Sequence, residues 1–152
     1  MENIITLSIG LGLCISLLFS EFFGIAAGGM VVPGYVALYL NRPVVIITTV
    51  LVSLLTYFIV NALGAFIIIY GRRRTVLMIL LGFLLGWLVR LLEPVPLGPQ
   101  VVELSIVGYI IPGLIAIWMD RQGILETVSA LAISSTLVRL ILILLFGRDI
   151  TL

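Results

Sequence analysis

Histidine and lysine are absent from the 152 residues, and cysteine occurs once, as Cys14. Without lysine no P-loop can be written, and without histidine the commonest general base and metal ligand is missing. A single cysteine gives neither an intrachain disulfide framework nor a zinc site. Inside an apolar run it reads as a small hydrophobic packing residue. Charge is scarce too: charged residues are 10 % of the chain, against about 25 % in soluble domains. Eight arginines against seven acids leave a net charge of +1, without the basic footprint of a nucleic-acid binder. These absences argue against self-contained nucleotide, metal or nucleic-acid chemistry. The chain is expected to work with a partner.

What is abundant is apolar surface. Hydrophobic residues make up 62 % of the sequence, and the mean hydropathy is +1.38. Soluble domains sit near about 45–50 % apolar, so most of this chain must meet lipid. The expected class is an all-α integral membrane protein, with residues 1–152 forming a single transmembrane domain. Met1-Glu2-Asn3 carries no positive charge, so the first apolar stretch is expected to be a retained helix rather than a signal peptide.

Six hydrophobic segments follow one another: residues 4–20, 24–40, 44–70, 75–92, 101–119 and 124–146. Their separators are brief. Pro94, Pro96, Gly98 and Pro99 mark one true loop, because proline forbids helix there. The segments fall into two three-segment repeats, approximately 1–74 and 75–152. Gly29, Pro33, Gly34 and Arg42 align without a gap onto Gly108, Pro112, Gly113 and Arg121, 79 residues later. Gly10 and Glu21 match Gly82 and Glu93 at a shifted offset. Tyr70-Gly71-Arg72 likewise matches Phe146-Gly147-Arg148. Membrane transport folds are commonly built from such duplications. Six crossings are expected, with re-entrant middle segments as the alternative. Arginine counting does not separate the two, although both place Arg72, Arg73 and Arg74 on the richer, cytoplasmic side.

The middle segment of each half is expected to break at its Pro-Gly motif. Proline interrupts a continuous helix but suits the first turn of a new one. Pro33-Gly34 and Pro112-Gly113 then become candidate binding elements, since a helix start presents free amides and positive partial charge to an anion. Kinks that merely shape packing are the plainer reading. Arg42 and Arg121 end these pieces, either as interfacial anchors or as groups that handle an anion. Arg139 lies well inside the last segment, where a charge costs at least about 2.5–3.5 kcal/mol; Glu126, Glu103 and Glu21 are its candidate partners. Arg90 lies near a span end and is read as snorkelling. Thr49, Ser53, Tyr57 and Asn61 recur every fourth residue and form one polar stripe, for helix packing or a pathway lining. Arg72, Arg73 and Arg74 are candidate topology, lipid or partner contacts. No catalytic or metal-binding residue stands out.

Four motifs in order carry a resemblance: Val31-Val32-Pro33-Gly34-Tyr35, Leu51-Val52-Ser53-Leu54-Leu55-Thr56-Tyr57, Tyr70-Gly71-Arg72-Arg73, and Ile111-Pro112-Gly113-Leu114-Ile115-Ala116. They resemble the PgsC/CapC membrane subunit of bacterial poly-gamma-glutamate (capsule) synthases over nearly the whole chain. The resemblance implies a multi-pass protein of the bacterial cytoplasmic membrane. It further implies a Mur-ligase-like ATP-dependent amide ligase (PgsB/CapB type) as partner, a PgsA/CapA-type membrane-anchored subunit, and an anionic polymer. ATP and Mg are then expected on the ligase, with no cofactor in this chain. It brings no catalytic residues with it. Three readings follow: a non-catalytic subunit supporting polymer synthesis and passage, a free-standing transporter for an anionic solute, and a structural anchor for the ligase.

Overall fold

Glycine and proline set the helix boundaries. In the computed structural model, residues 2–66, 71–91 and 107–146 are described. They form α1 (Glu2–Phe23), α2 (Val32–Leu38), α3 (Pro43–Phe66), α4 (Arg72–Leu91), α5 (Ile111–Gln122) and α6 (Ile124–Phe146). Pro43 opens α3, where its missing amide leaves no bond unmade. Pro33 and Pro112 fall in the first turns of α2 and α5. Gly123, at φ 105°, turns the chain between α5 and α6, a conformation that penalises any residue with a Cβ. Pro94, Pro96, Glu93, Glu103, Tyr70, Gly147 and Arg148 lie outside the described residues.

Four helices among the described residues are long and apolar enough to cross a membrane: Ile5–Phe23, Pro43–Phe66, Arg72–Leu91 and Ile124–Leu145. The other two are short. With 7 and 12 residues, α2 and α5 extend about 10 and 18 Å at 1.5 Å per residue, short of the ~30 Å hydrocarbon core. Of the six expected segments, four are thus helices of membrane-spanning length, and α2 and α5 are the helical parts of the other two. Large apolar side chains cover the outside, among them Leu17, Leu18 and Phe22 on α1, Leu51 and Phe58 on α3, and Leu84 and Trp87 on α4. A soluble monomer rarely exposes so continuous an apolar surface. Cys14 is on this outer surface too, so it packs toward lipid rather than into the core.

The chain divides into two compact units: residues Met1–Pro43 with Trp118–Leu152, and residues Val44–Ile117. Neither coincides with a sequence half. The first unit joins α1 and α2 to α6, and the second contains α3, α4 and the first part of α5. In the first, Ile15, Ala37, Val138 and Leu142 form the core, flanked by Leu11, Phe19 and Leu40. In the second, Val60, Met78 and Ile117 do so, with Ile79, Leu81 and Leu114 around them.

Each unit contains one glycine-on-glycine helix crossing. In the first, a Cβ added to Gly12 would stand 2.6 Å from the Cα of Gly34, and one added to Gly34 would meet the Ser8 carbonyl at 2.6 Å. In the second, a Cβ on Gly82 would stand 2.5 Å from the Cα of Gly113, and one on Gly113 would meet Ile79 Cα at 2.8 Å. Small residues let backbones approach this closely, which is how helices associate without a hydrophobic drive between them. Gly10, the sequence match for Gly82, would have nothing within 4 Å of an added Cβ. Two residues along a helix are a rotation of about 200°, so Gly12 faces α2 and Gly10 faces out.

Candidate functional site

Arg139 is the one buried charged side chain among the described residues, at 9 % exposure. It projects from the middle of α6 toward the end of α2. Its Nη2 donates to Asn41 Oδ1 at 2.9 Å and its Nη1 to the Ala37 carbonyl at 3.4 Å. Carbonyls at a helix C-terminus carry partial negative charge, so the last turn of α2 is an electrostatically suitable seat for a guanidinium. Asn41 precedes Arg42, whose backbone amide donates to the Tyr39 carbonyl at 2.8 Å while its side chain is exposed. Arg121 is exposed as well, and its guanidinium lies 5.5 Å from the Trp118 ring centroid.

The chain entering α2, residues 24–31, is irregular, and Gly28 and Gly29 have φ of 73° and 119°. Its inner part is buried: Ala27, Gly28 and Gly29 are shielded from solvent. Non-helical backbone at membrane depth requires such burial in protein or a wet cavity. Side chains satisfy its polar groups. Gln122 grips Ala26 from both sides: its Oε1 accepts the Ala26 amide at 2.9 Å, and its Nε2 donates to the Ala26 carbonyl at 2.5 Å. The same Nε2 donates to Thr127 Oγ1 at 3.0 Å. Ser16 Oγ donates to the Gly29 carbonyl at 3.4 Å, and Ser8 Oγ to the Gly34 carbonyl at 2.7 Å.

In the second unit, the chain entering α5 is held more directly. Thr49 Oγ1 accepts the Val107 amide at 3.0 Å and donates to the Val45 carbonyl at 2.7 Å. Tyr109 hydrogen-bonds Arg90, whose guanidinium also lies 4.9 Å from the tyrosine ring centroid. Arg90 is exposed. The buried face of α3 carries Thr49, Ser53 and Thr56 rather than the expected four-residue stripe; Tyr57 is half-buried and Asn61 exposed. Ser53 and Thr56 donate to carbonyls four residues back, at 2.7 Å each. Their hydroxyls are occupied within the helix.

The structure therefore brings Arg139, Asn41 and the end of α2 together in the first unit. Pro33, Gly34, Pro112 and Gly113 are buried against α1 or α4. Arg72 and Arg73 are exposed, and Arg74 donates to Asn61 Oδ1 at 3.4 Å. Among the described residues, no group of three or more His, Cys, Asp or Glu is placed to hold a metal ion. Gln122, Asn41, Ser8 and Ser16 escaped the sequence reading. Ser8 and Ser16, two turns apart on one helical face, were the available signal; for Gln122 none existed beyond a polar residue beside a glycine corner.

Lipid-length apolar helices, two short helices set between them and a buried arginine define a polytopic helical membrane protein. A family model for capsule biosynthesis CapC matches residues 11–128. The chain is 43 % identical over 118 residues to the PGA biosynthesis protein CapC of Bacillus subtilis, covering 77 % of this chain and 78 % of that one. It is 40 % identical over 119 residues to the capsule biosynthesis protein CapC of Bacillus anthracis, covering 78 % and 79 %. The chain belongs to the CapC capsule biosynthesis family. No solved structure matches it.

Proposed function

We propose that this chain is the polytopic membrane subunit of a poly-gamma-glutamate synthase and export complex in the bacterial cytoplasmic membrane. It supports ATP-dependent polymer synthesis by a Mur-ligase-like partner and the passage of the polyanion, with ATP and Mg on the ligase. The observation that carries this reading is the family match across residues 11–128, joined to a chain that has neither lysine nor histidine. A PgsA/CapA-type subunit completes the assembly.

In mechanistic form, the chain crosses the bilayer six times, each middle crossing being made of an irregular stretch followed by a short helix, which the run of contacts from Ala26 at Gln122 to Asn41 at Arg139 supports. By chain count, Arg121 then lies with Arg72, Arg73 and Arg74 on the face that the positive-inside rule makes cytoplasmic, and Arg42 and Arg90 lie at the opposite one. The Pro-Gly pairs end the irregular stretches and supply the close crossings; the duplication of the chain explains why both crossings use the same pair. Arg139, with Arg42 and Arg121 nearer the surface, provides positive charge for the polymer's carboxylates. Carboxylate recognition by a guanidinium is bidentate and charge-assisted.

The deciding experiment measures ATP-dependent conversion of labelled glutamate into polymer by membranes holding the ligase, with and without this chain. Dependence on the chain is the expected result. Equal synthesis without it would remove the synthase role, and leave export of finished polymer or transport of an unrelated anion. Exposure of Arg72 and Arg73 favours one further role, recruitment of the ligase at the cytoplasmic face.

A further inference from the structure

We propose that Gln122 is a latch: it holds the irregular segment 24–31, buried over Ala27, Gly28 and Gly29, closed, and releasing that hold opens the first unit to the polymer. This rests on the reading of the chain as a polymer-handling subunit and adds a gating element to it.

Three observations lead there. Residues 24–31 lack a regular hydrogen-bond ladder; the Gly28 amide bonds only as far as the Ala26 carbonyl, at 2.9 Å. Single side chains fix the stretch on either side of Ala27: Ser16 on the buried Gly29 and Gln122 on the half-buried Ala26. Segments secured by few hydrogen bonds and little regular structure are the ones that open at low free-energy cost. The glycines at 28 and 29 allow the backbone changes that such opening requires.

The second observation is a difference between the two units. Thr127 and Thr49 stand 78 residues apart, and each donates to the carbonyl four residues back, at 2.7 Å. Thr49 accepts directly from the buried backbone amide of Val107. Thr127 instead accepts from Gln122, and Gln122 reaches the backbone of Ala26. A rotatable side chain is thus interposed in one unit where the other has a direct bond. At the position corresponding to Gln122, the first half has Pro43 or Val44, neither of which offers a side-chain amide.

The third is placement. The segment leads into the seven-residue α2, whose far end seats Arg139 through Ala37 and Asn41. Movement of residues 24–31 shifts α2, and with it the carbonyl and amide that occupy the guanidinium. Unlatching therefore exchanges the protein partners of Arg139 for carboxylates of the polymer.

The test places one cysteine at the latch. In a Cys14→Ser background, Ala27→Cys puts a thiol at a fully buried position, and its reaction with N-ethylmaleimide is followed in membranes. With Gln122 intact the thiol should react slowly. Gln122→Leu should raise the rate about tenfold, the change that corresponds to losing about 1.4 kcal/mol of hydrogen bonding. Adding ligase, ATP and glutamate should raise the rate with Gln122 intact. Equal rates for Gln122→Leu and the intact latch overturn the hold, and a rate indifferent to polymer synthesis overturns the gate. If Ala27→Cys does not insert, hydrogen exchange at the Ala27 and Gly28 amides, compared between Gln122 and Gln122→Leu, decides the hold in its place. Because the Gln122→Leu comparison needs no ligase, its outcome is independent of whether polymer synthesis depends on this chain.

Discussion

Gly12 and Gly34 meet backbone to backbone: the space that a Cβ on Gly12 would take is 2.6 Å from the Cα of Gly34. Gly82 and Gly113 repeat the relationship in the second unit, at 2.5 Å. Each crossing packs a short helix backbone to backbone against a long one. The Pro-Gly pairs are thus explained first by packing: proline starts the helix, and glycine admits the neighbouring one.

Gly12→Ala and Gly82→Ala should each destabilise the detergent-solubilised protein by about 1–3 kcal/mol, the usual effect of overpacking. Gly10→Ala is the control. Its Cβ meets nothing within 4 Å, so its unfolding midpoint should stay level or rise with the better helix propensity of alanine. A Gly12→Ala protein as stable as the Gly10→Ala protein would contradict the crossing.

Arg139 and Asn41 should behave as one unit. Arg139→Gln should lower polymer output while the protein still inserts; unchanged output removes Arg139 from polymer handling. In a double-mutant cycle on stability, Arg139→Leu and Asn41→Leu should couple by about 1.5–3 kcal/mol, the range of hydrogen bonds to charged groups. Additive effects would show that the 2.9 Å bond contributes nothing.

Thr49→Val should leave the buried Val107 amide without its acceptor, at a cost of about 1–3 kcal/mol. Thr49→Ser keeps the hydroxyl and should lose much less. Thermal unfolding of the two variants side by side reads the difference, and equal losses would point to the methyl group instead.

Arg72→Gln combined with Arg73→Gln alters two exposed side chains, so stability should change by no more than about 0.5 kcal/mol. Co-purification of the ligase with membranes should nevertheless fall. Full retention of the ligase would confine these arginines to topology and lipid headgroups.

The sequence by itself determined the solvent, the helical class and the family. Apolar runs of lipid length have one stable form in a bilayer, because backbone groups there must bond internally. It also marked Pro33 and Pro112 as positions where a continuous helix is interrupted, since proline restricts backbone angles whatever surrounds it. Tertiary structure alone decided which face each residue presents and what it meets. Gly12 rather than Gly10 makes the first crossing, Thr56 rather than Tyr57 is buried on α3, and Arg139 bonds to Asn41 and the Ala37 carbonyl. In a uniformly apolar chain, helical periodicity carries little orientation signal, because every face is compatible with lipid. The partners come from residues 98 and 102 positions away, a pairing that only the packing of α2 against α6 creates.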